Sequence, residues 1–424
     1  MIVVRHVEAT ECRTIPFVTP HQPPEDPLNT SPNMTPTERR ASGTLASIFA
    51  LRMLGLFLVL PVFAIEARRY PGGDDPALIG LAMGIYGLTQ GVLQIPFGMA
   101  SDRLGRKRVI VFGLLVFALG SVLAASADSL MGLLAGRALQ GAGAVSAAVT
   151  ALLADLTRDT VRTKAMALVG ASIGLVFALS LVLSPLIAAY IGLSGLFALT
   201  ALLALVGVAV VIWAVPAEPY MPKDAARGGL AQVLRNPALL RLNFGVFVLH
   251  AVQLAMWVAI PAFLVQAGLA TDDHWRIYLP AVLGSFVLMG GLLFPLERRG
   301  FLRAVFLASI ALIALVQVVL LWVSSGAPSI AALAWLLFAF FCGFNVLEAT
   351  QPSLVSRIAP AASRGAAMGV YNTLQSLGFF IGGWLGGQLV KNHGTQGLFL
   401  SCAGLMALWL VVAWPMVTPS RSSH

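Results

Sequence analysis

Gly98-Met-Ala-Ser-Asp102-Arg103-Leu-Gly105-Arg106-Lys107-Arg108 is a dense run of charge between two stretches that carry almost none, 78–100 and 109–127. Each flank is close to the roughly 20 apolar residues a helix needs to cross a hydrocarbon core of about 30 Å. The eleven residues therefore read as a tight polar hairpin between two membrane helices. Gly105 permits a turn with positive φ, and Gly98 permits close helix approach. Asp102 suits the positive N-terminus of a neighbouring helix. Arginines and lysines alone would mark only the side of the membrane; Asp102 and the two glycines ask for a built contact.

The rest of the chain agrees with a membrane reading. Of 424 residues, 58% are hydrophobic and 11% charged, with mean hydropathy +0.86. Soluble domains carry about 25% charged residues, so a soluble globular enzyme is excluded. Windows of membrane length give twelve spans, at 45–65, 78–100, 109–127, 130–154, 165–189, 195–215, 243–266, 277–296, 304–323, 330–355, 366–390 and 397–416. The fourth and tenth read long. One long break, rich in Pro and charge, runs from Pro216 to Leu242. It divides the chain into a tail (1–40), a six-helix bundle (41–215), a linker (216–242), a second six-helix bundle (243–416) and a tail (417–424). Residues 1–33 lack an apolar run, so translation from Met34 or a disordered tail is expected there. The three cysteines, Cys12, Cys342 and Cys402, suggest neither a disulfide framework nor a metal site.

Basic residues set the orientation. Of 27 Lys and Arg, four (Arg68, Arg69, Arg276, Lys391) fall on one side and two (Arg52, Arg137) inside spans, which leaves 21 on the other. Both termini are then cytoplasmic. The +9 net charge is spread over alternate loops, a topology signal that needs no nucleic acid. The halves also repeat weakly at an offset of 202: Arg162 to Met166 aligns with Arg364 to Met368, and Gly141 with Gly343. Repeated halves around a midplane site are a transporter architecture.

With these residues in view, the hairpin resembles the G-x-x-x-D-R-x-G-R-K loop of the major facilitator superfamily, at Gly98, Asp102, Arg103, Gly105, Arg106 and Lys107. Arg137-Ala-Leu-Gln140-Gly141 is similar to that family's intramembrane Arg with Gln-Gly. Arg52 with Gly55, Tyr86 with Gln90, and Gly369 with Tyr371 are similar to YajR-type members, which can carry a ferredoxin-like domain beyond residue positions present here. The resemblance implies an all-α, twelve-helix fold in two six-helix bundles, working by alternating access. It also implies a gate in which Asp102 docks on the eleventh span, near Ser363 to Ala366, and Asp155 pairs with Arg106 or Arg103 beside Arg162. Drug/proton antiporters show a glycine–proline motif in the fifth span. Here Gly170, Gly174 and Pro185 remain, Ser184 and Ala188-Ala189 replace the other glycines, and close helix packing is expected at what remains.

Polar stripes at helical spacing point to one central cavity. They are Tyr86, Gln90 and Gln94; His250, Gln253 and Trp257; Asn345, Glu348 and Gln351; and Tyr371 with Gln375, joined by Arg52, Arg137 and Gln140. Arg137 has two readings, cavity residue or interhelix clamp. Glu348 is the one acidic residue of 18 that falls well inside a span. It is the leading proton carrier, or else a static partner of Arg52, with His250 the second candidate. Phe57, Phe63, Phe247 and Met256 would add apolar walls. These residues fit export of a small amphiphilic or drug-like molecule in exchange for protons, by a monomer in the inner membrane that needs no cofactor beyond the proton gradient. Proton-linked uptake or facilitated diffusion of a polar nutrient is the alternative. A membrane-embedded enzyme finds no H-E-x-x-H and no intramembrane nucleophile with a base.

Overall fold

The computed structural model describes residues 33–218, 230–326, 328–360 and 363–416, so the expectations for 1–32, for 219–229 of the linker and for the C-terminal tail lie outside the described residues. Among the described residues all regular structure is helical. In order these are α1 (Pro36–Glu66), α2 (Pro76–Leu104), α3 (Arg106–Ala125), α4 (Leu130–Ala142), α5 (Ser146–Asp155), α6 (Asp159–Trp213), α7 (Leu230–Leu234), α8 (Pro237–Gln266), α9 (Trp275–Arg298), α10 (Leu302–Val323), α11 (Ile330–Ile358) and α12 (Arg364–Ala413). Nine segments are long and apolar enough to span a bilayer. Two of them, 164–213 and 366–413, each fold back on themselves, and α9 adds a further helix of crossing length. Twelve crossings result, as the hydropathy pattern predicts.

The two fold-back points explain how spans five and six, and eleven and twelve, follow each other without a loop. Gly192 turns at φ 65°, ψ −172° and Gly394 at φ 67°, ψ −173°. Only glycine enters that region freely. They stand 202 residues apart, the offset of the sequence repeat, so the repeat is structural. Gly105 has the expected positive φ, 98°, between α2 and α3.

The fourth span corrects the sequence reading. It is α4 and α5, interrupted at Gly143 to Val145, instead of one long helix. A side chain on Gly143 would strike the Gly113 carbonyl and Phe117 of α3, so α3 presses closely on the chain at the interruption.

One interface joins the first six spans to the last six most intimately. Along it α2 and α12 meet backbone to backbone. A Cβ on Gly80 would strike the Gly383 carbonyl, on Gly84 the Phe380 carbonyl, and on Gly87 the Ser376 carbonyl. The seam starts at Pro76 opposite Gly387 and reaches Gly91 opposite Leu377. Beyond it the helices part: Gly98 faces Ala147 of its own bundle at 3.6 Å, and Gly369 has nothing within 4 Å. Gly98 is thus at ordinary contact distance, looser than the sequence suggests. The molecule is closed at the Asp75–Lys391 end, where that ion pair bridges α2 and α12 at 2.8 Å, and parted between these helices at the Arg106 end.

Candidate functional site

At the inner end of the seam, polar side chains from six helices meet. Arg52 on α1 is 1% exposed. It donates to Ser146 Oγ on α5 (3.0 Å) and, on α2, to Tyr86 Oη (2.6 Å) and Gln90 Oε1 (2.9 Å). Gln90 then donates across the seam to Ser376 Oγ of α12 at 2.9 Å. Next to it in sequence, Gln375 reaches Glu348 Oε1 of α11 at 3.4 Å and His250 Nε2 of α8 at 2.8 Å. The spacing of Tyr86 and Gln90 puts both on one helical face, one turn apart. Two hydrogen-bonded groups, one from Arg52 to Ser376 and one of Gln375 with Glu348 and His250, therefore meet at adjacent residues of α12.

The imidazole geometry fixes its tautomer. His250 Nδ1 lies 2.9 Å from the Val246 carbonyl, which can only accept, so Nδ1 carries hydrogen. In the neutral ring Nε2 is then an acceptor. Glu348 Oε2 stands 3.3 Å from that nitrogen, within ion-pair range though not well directed for a hydrogen bond. The two atoms face each other, with Gln375 Nε2 at 2.8 Å from the same imidazole nitrogen. The Gln375 amide can present its nitrogen or its oxygen to either form. The Glu348 side chain is 37% exposed, so it borders open space, whereas His250 is buried.

A second cluster lies beside the first and is sealed. Arg137 is 2% exposed and donates to the Ala82 and Met83 carbonyls of α2 (3.4 and 3.1 Å) and to Gln140 Oε1 (3.3 Å). Gln140 donates to Ser121 Oγ at 2.8 Å. The guanidinium also covers the Tyr86 and Phe63 rings at 5.3 and 5.9 Å. Its donors meet two backbone carbonyls and the Gln140 side chain and its volume is enclosed, an arrangement that fits the clamp reading.

Other expected cavity residues stay out of the Arg52 and Glu348 groups. Trp257 is buried edge-on against Tyr278, and Asn345 donates to Ser285 Oγ at 2.8 Å. Gln94, Gln351 and the Tyr371 hydroxyl are buried without a protein partner, and Gln253 is buried with its oxygen unpaired. Helical spacing places a residue on a face, and a face wide enough for three polar residues also meets neighbouring helices. Gly170 has nothing within 4 Å and Gly174 only Phe286 at 3.9 Å, so the expected close packing of the fifth span is absent where these glycines face open space. Pro185 sits inside α6.

At the Arg106 end the relay partners come together: Arg106 Nε meets Asp155 Oδ2 at 3.1 Å. The side chains of Asp102 and Arg162 lie outside the described residues, and Arg103 is exposed. Sequence reasoning missed Glu218, whose carboxylate accepts the backbone N–H groups of Arg106 and Lys107. It caps the N-terminus of α3, while Lys107 Nζ reaches the Val215 carbonyl at 2.6 Å. No local pattern links position 218 to 106; the Pro-rich break beyond the sixth span was the available signal.

Also missed was a wall of rings that crosses between the halves. Phe57 lies 5.1 Å from Phe177, which lies 6.3 Å from Phe344, itself 5.9 Å from the His250 ring. Phe177 belongs to α6 and Phe344 to α11, so the wall joins both halves and adjoins His250.

Twelve crossings in repeated halves, closed at one end over buried polar groups, define a multi-pass membrane transporter. The chain belongs to the Major Facilitator Superfamily, whose family model matches residues 45–378 and 296–424. It is 46% identical over 390 residues to the inner membrane transport protein YajR of Escherichia coli (strain K12), covering 91% of this chain and 85% of that one. To the quinolone resistance protein NorA of Staphylococcus aureus (strain MSSA476) it is 25% identical over 381 residues, 85% of this chain and 93% of that one. A D-xylose-proton symporter shares the fold with TM-score 0.72 at 15% identity, over 90% of this chain and 99% of that one.

Proposed function

We propose that this transporter exports a small amphiphilic molecule in exchange for protons by alternating access, with Glu348 and His250 as the proton-holding pair. The observation that carries the reading is the pair itself: a half-exposed carboxylate 3.3 Å from an imidazole nitrogen that its own helix keeps as an acceptor. A driven exporter needs a group whose protonation differs between its two facing states. One pH unit contributes about 1.4 kcal/mol per proton, and 100 mV about 2.3 kcal/mol per charge moved. A hundredfold gradient of neutral cargo needs about 2.8 kcal/mol. One proton site is therefore enough.

Basic-residue placement supports cytoplasmic termini and so an inner-membrane protein whose α2–α12 seam closes the outer side, leaving the site facing inward. The Arg106–Asp155 pair is already formed here, so in the opposite state it is Asp102 on the N-terminus of the eleventh span that closes the cytoplasmic side. Asp102→Asn then shifts the population inward by about 0.3–2 kcal/mol, read as spin-label distances across the cytoplasmic ends; unchanged distances reject the gate.

The coupling test uses proteoliposomes under an imposed pH gradient, screened for cargo-induced proton release. Glu348→Gln keeps shape and hydrogen bonding but holds no exchangeable proton at the carboxyl. It abolishes accumulation driven by ΔpH and leaves exchange of cargo between equal compartments. A Gln variant that still accumulates cargo under ΔpH alone makes Glu348 structural.

A further inference from the structure

The charge inside the membrane is lopsided. The N-terminal half contributes two buried guanidiniums, Arg52 and Arg137, whose partners among the described residues are hydroxyls, amides, aromatic rings and backbone carbonyls, never a carboxylate. Arg52 Nε has no partner at all. The C-terminal half contributes Glu348 and His250. With the carboxylate ionised and the imidazole neutral, these four groups sum to one positive charge. Adding the proton that Glu348 and His250 can share brings the sum to two. Every protonation state of the pair leaves the centre of the protein positive. By sequence, the remaining acidic residues stand in loops or near span ends, too far from the midplane to cancel this.

A buried charge with neutral partners projects its field further than one in water, because little solvent screens it. Arg52 is the guanidinium placed to act on cargo. Both guanidiniums are enclosed, but Arg52 is the one bonded to Gln90, which is half-buried and bonded in turn to Ser376 on the other half. Phe57, on α1 like Arg52, opens a row with Phe177 and Phe344 that ends against the His250 ring, an apolar surface contributed by both halves.

We propose that the cargo is an anionic amphiphile, its acidic group drawn toward the Arg52 guanidinium and its apolar body laid on the Phe57–Phe177–Phe344 wall. The assignment rests on the transporter reading above and adds the sign of the cargo. Arg52 acts as a specificity residue: it selects by charge through Gln90 and needs no direct contact. A cation meets the same field as a barrier, which separates this site from one built for lipophilic cations.

The test uses two dyes on one xanthene frame, fluorescein as the anion and rhodamine 6G as the cation. Their binding to the purified full chain in lipid nanodiscs is measured by fluorescence anisotropy at neutral pH. The expected result is a preference for fluorescein of at least about tenfold, from the opposite signs of the two interactions. Arg52→Gln collapses that preference toward unity, Arg52→Lys retains most of it, and Arg137→Lys, which keeps charge in the clamp, leaves it in place. Size-exclusion profiles and unfolding midpoints confirm that each variant is folded. Equal or tighter binding of rhodamine 6G by the unaltered chain, or an undiminished preference in Arg52→Gln, overturns the assignment. The two readings fail separately. Charge-selective binding without ΔpH-driven movement defeats proton-coupled export and keeps the anion site. ΔpH-driven movement of rhodamine 6G in preference to fluorescein does the reverse.

Discussion

The two halves share a scaffold and divide the chemistry. Both begin with a helix carrying an internal proline, Pro61 in α1 and Pro261 in α8, and both fold their last two spans back at a glycine near φ +65°. Yet the first half places two arginines, Arg52 and Arg137, among neutral donors and acceptors. The second places a carboxylate beside an imidazole, Glu348 with His250, and the Glu348 side chain is 37% exposed. On the reading proposed above, the first half recognises and the second couples.

The strongest break of this comparison lies at the helix starts. Glu38 in the first half closes a capping box with Thr35 and accepts two hydrogen bonds from the Arg158 side chain, at 2.8 and 3.0 Å. Its counterpart region in the second half has only Asn236 capping α8 through the N–H groups of Ala238 and Leu239. Glu38→Gln weakens the charge-assisted hydrogen bonds to Arg158 and is expected to cost about 2 kcal/mol. The loss is measured as the unfolding midpoint of the purified protein in detergent, and no change would assign the contact to the surface class of ion pairs.

Next come the two glycine turns, where the halves are expected to respond alike. Gly192→Val and Gly394→Val each force a branched side chain into a glycine-only region, at about 1–3 kcal/mol. Nothing else within 4 Å obstructs a side chain at either position, so the backbone term stands alone. Midpoints that differ by more than the smaller of the two shifts would show that the repeat is geometrical without being energetic. Asn236→Ala follows at about 1 kcal/mol for a lost cap, well below Glu38→Gln if the halves are anchored as unequally as their contacts indicate.

The smallest effect belongs to the bridge between halves. Lys391, hydrogen-bonded to Asp75, holds the Asp75 carboxyl below its ordinary value. A depressed carboxylate stabilises the bridged state above the ordinary Asp value and loses that contribution as pH falls through the depressed one. Both side chains are more than a third exposed, so the pair is worth about 0–1 kcal/mol. Asp75→Asn at neutral pH should lengthen label distances across the α2–α12 seam only slightly, and the difference from the unaltered chain should vanish in acid. A large opening would make the ion pair, and not the glycine seam, what holds that end shut.

Hydropathy made the spans legible, since a bilayer imposes one length on every crossing. The turn at Gly105 was legible for a similar reason: a charged hairpin with one glycine offers few conformations. Arg52, Tyr86, Gln90, Glu348, His250 and Gln375 were each visible as polar residues in apolar surroundings, and they do assemble. Sequence could not say how deep each lies. Arg137 has the same composition around it as Arg52, and only the packing of α2 over α4 shows that it is enclosed. The interruption at Gly143, the Glu218 cap and the ring wall at Phe177 and Phe344 were hidden because each depends on a partner far along the chain.

The seam between α2 and α12 has a kinetic consequence. Where Gly80, Gly84 and Gly87 meet Gly383, Phe380 and Ser376, the touching surfaces are largely peptide backbone. Parting them requires few side chains to find new rotamers, and bringing them together again freezes few. Most of the torsional freedom that ordinarily makes an interface slow to remake has already been removed from this one. A seam of this kind is expected to separate and re-seat with little side-chain rearrangement.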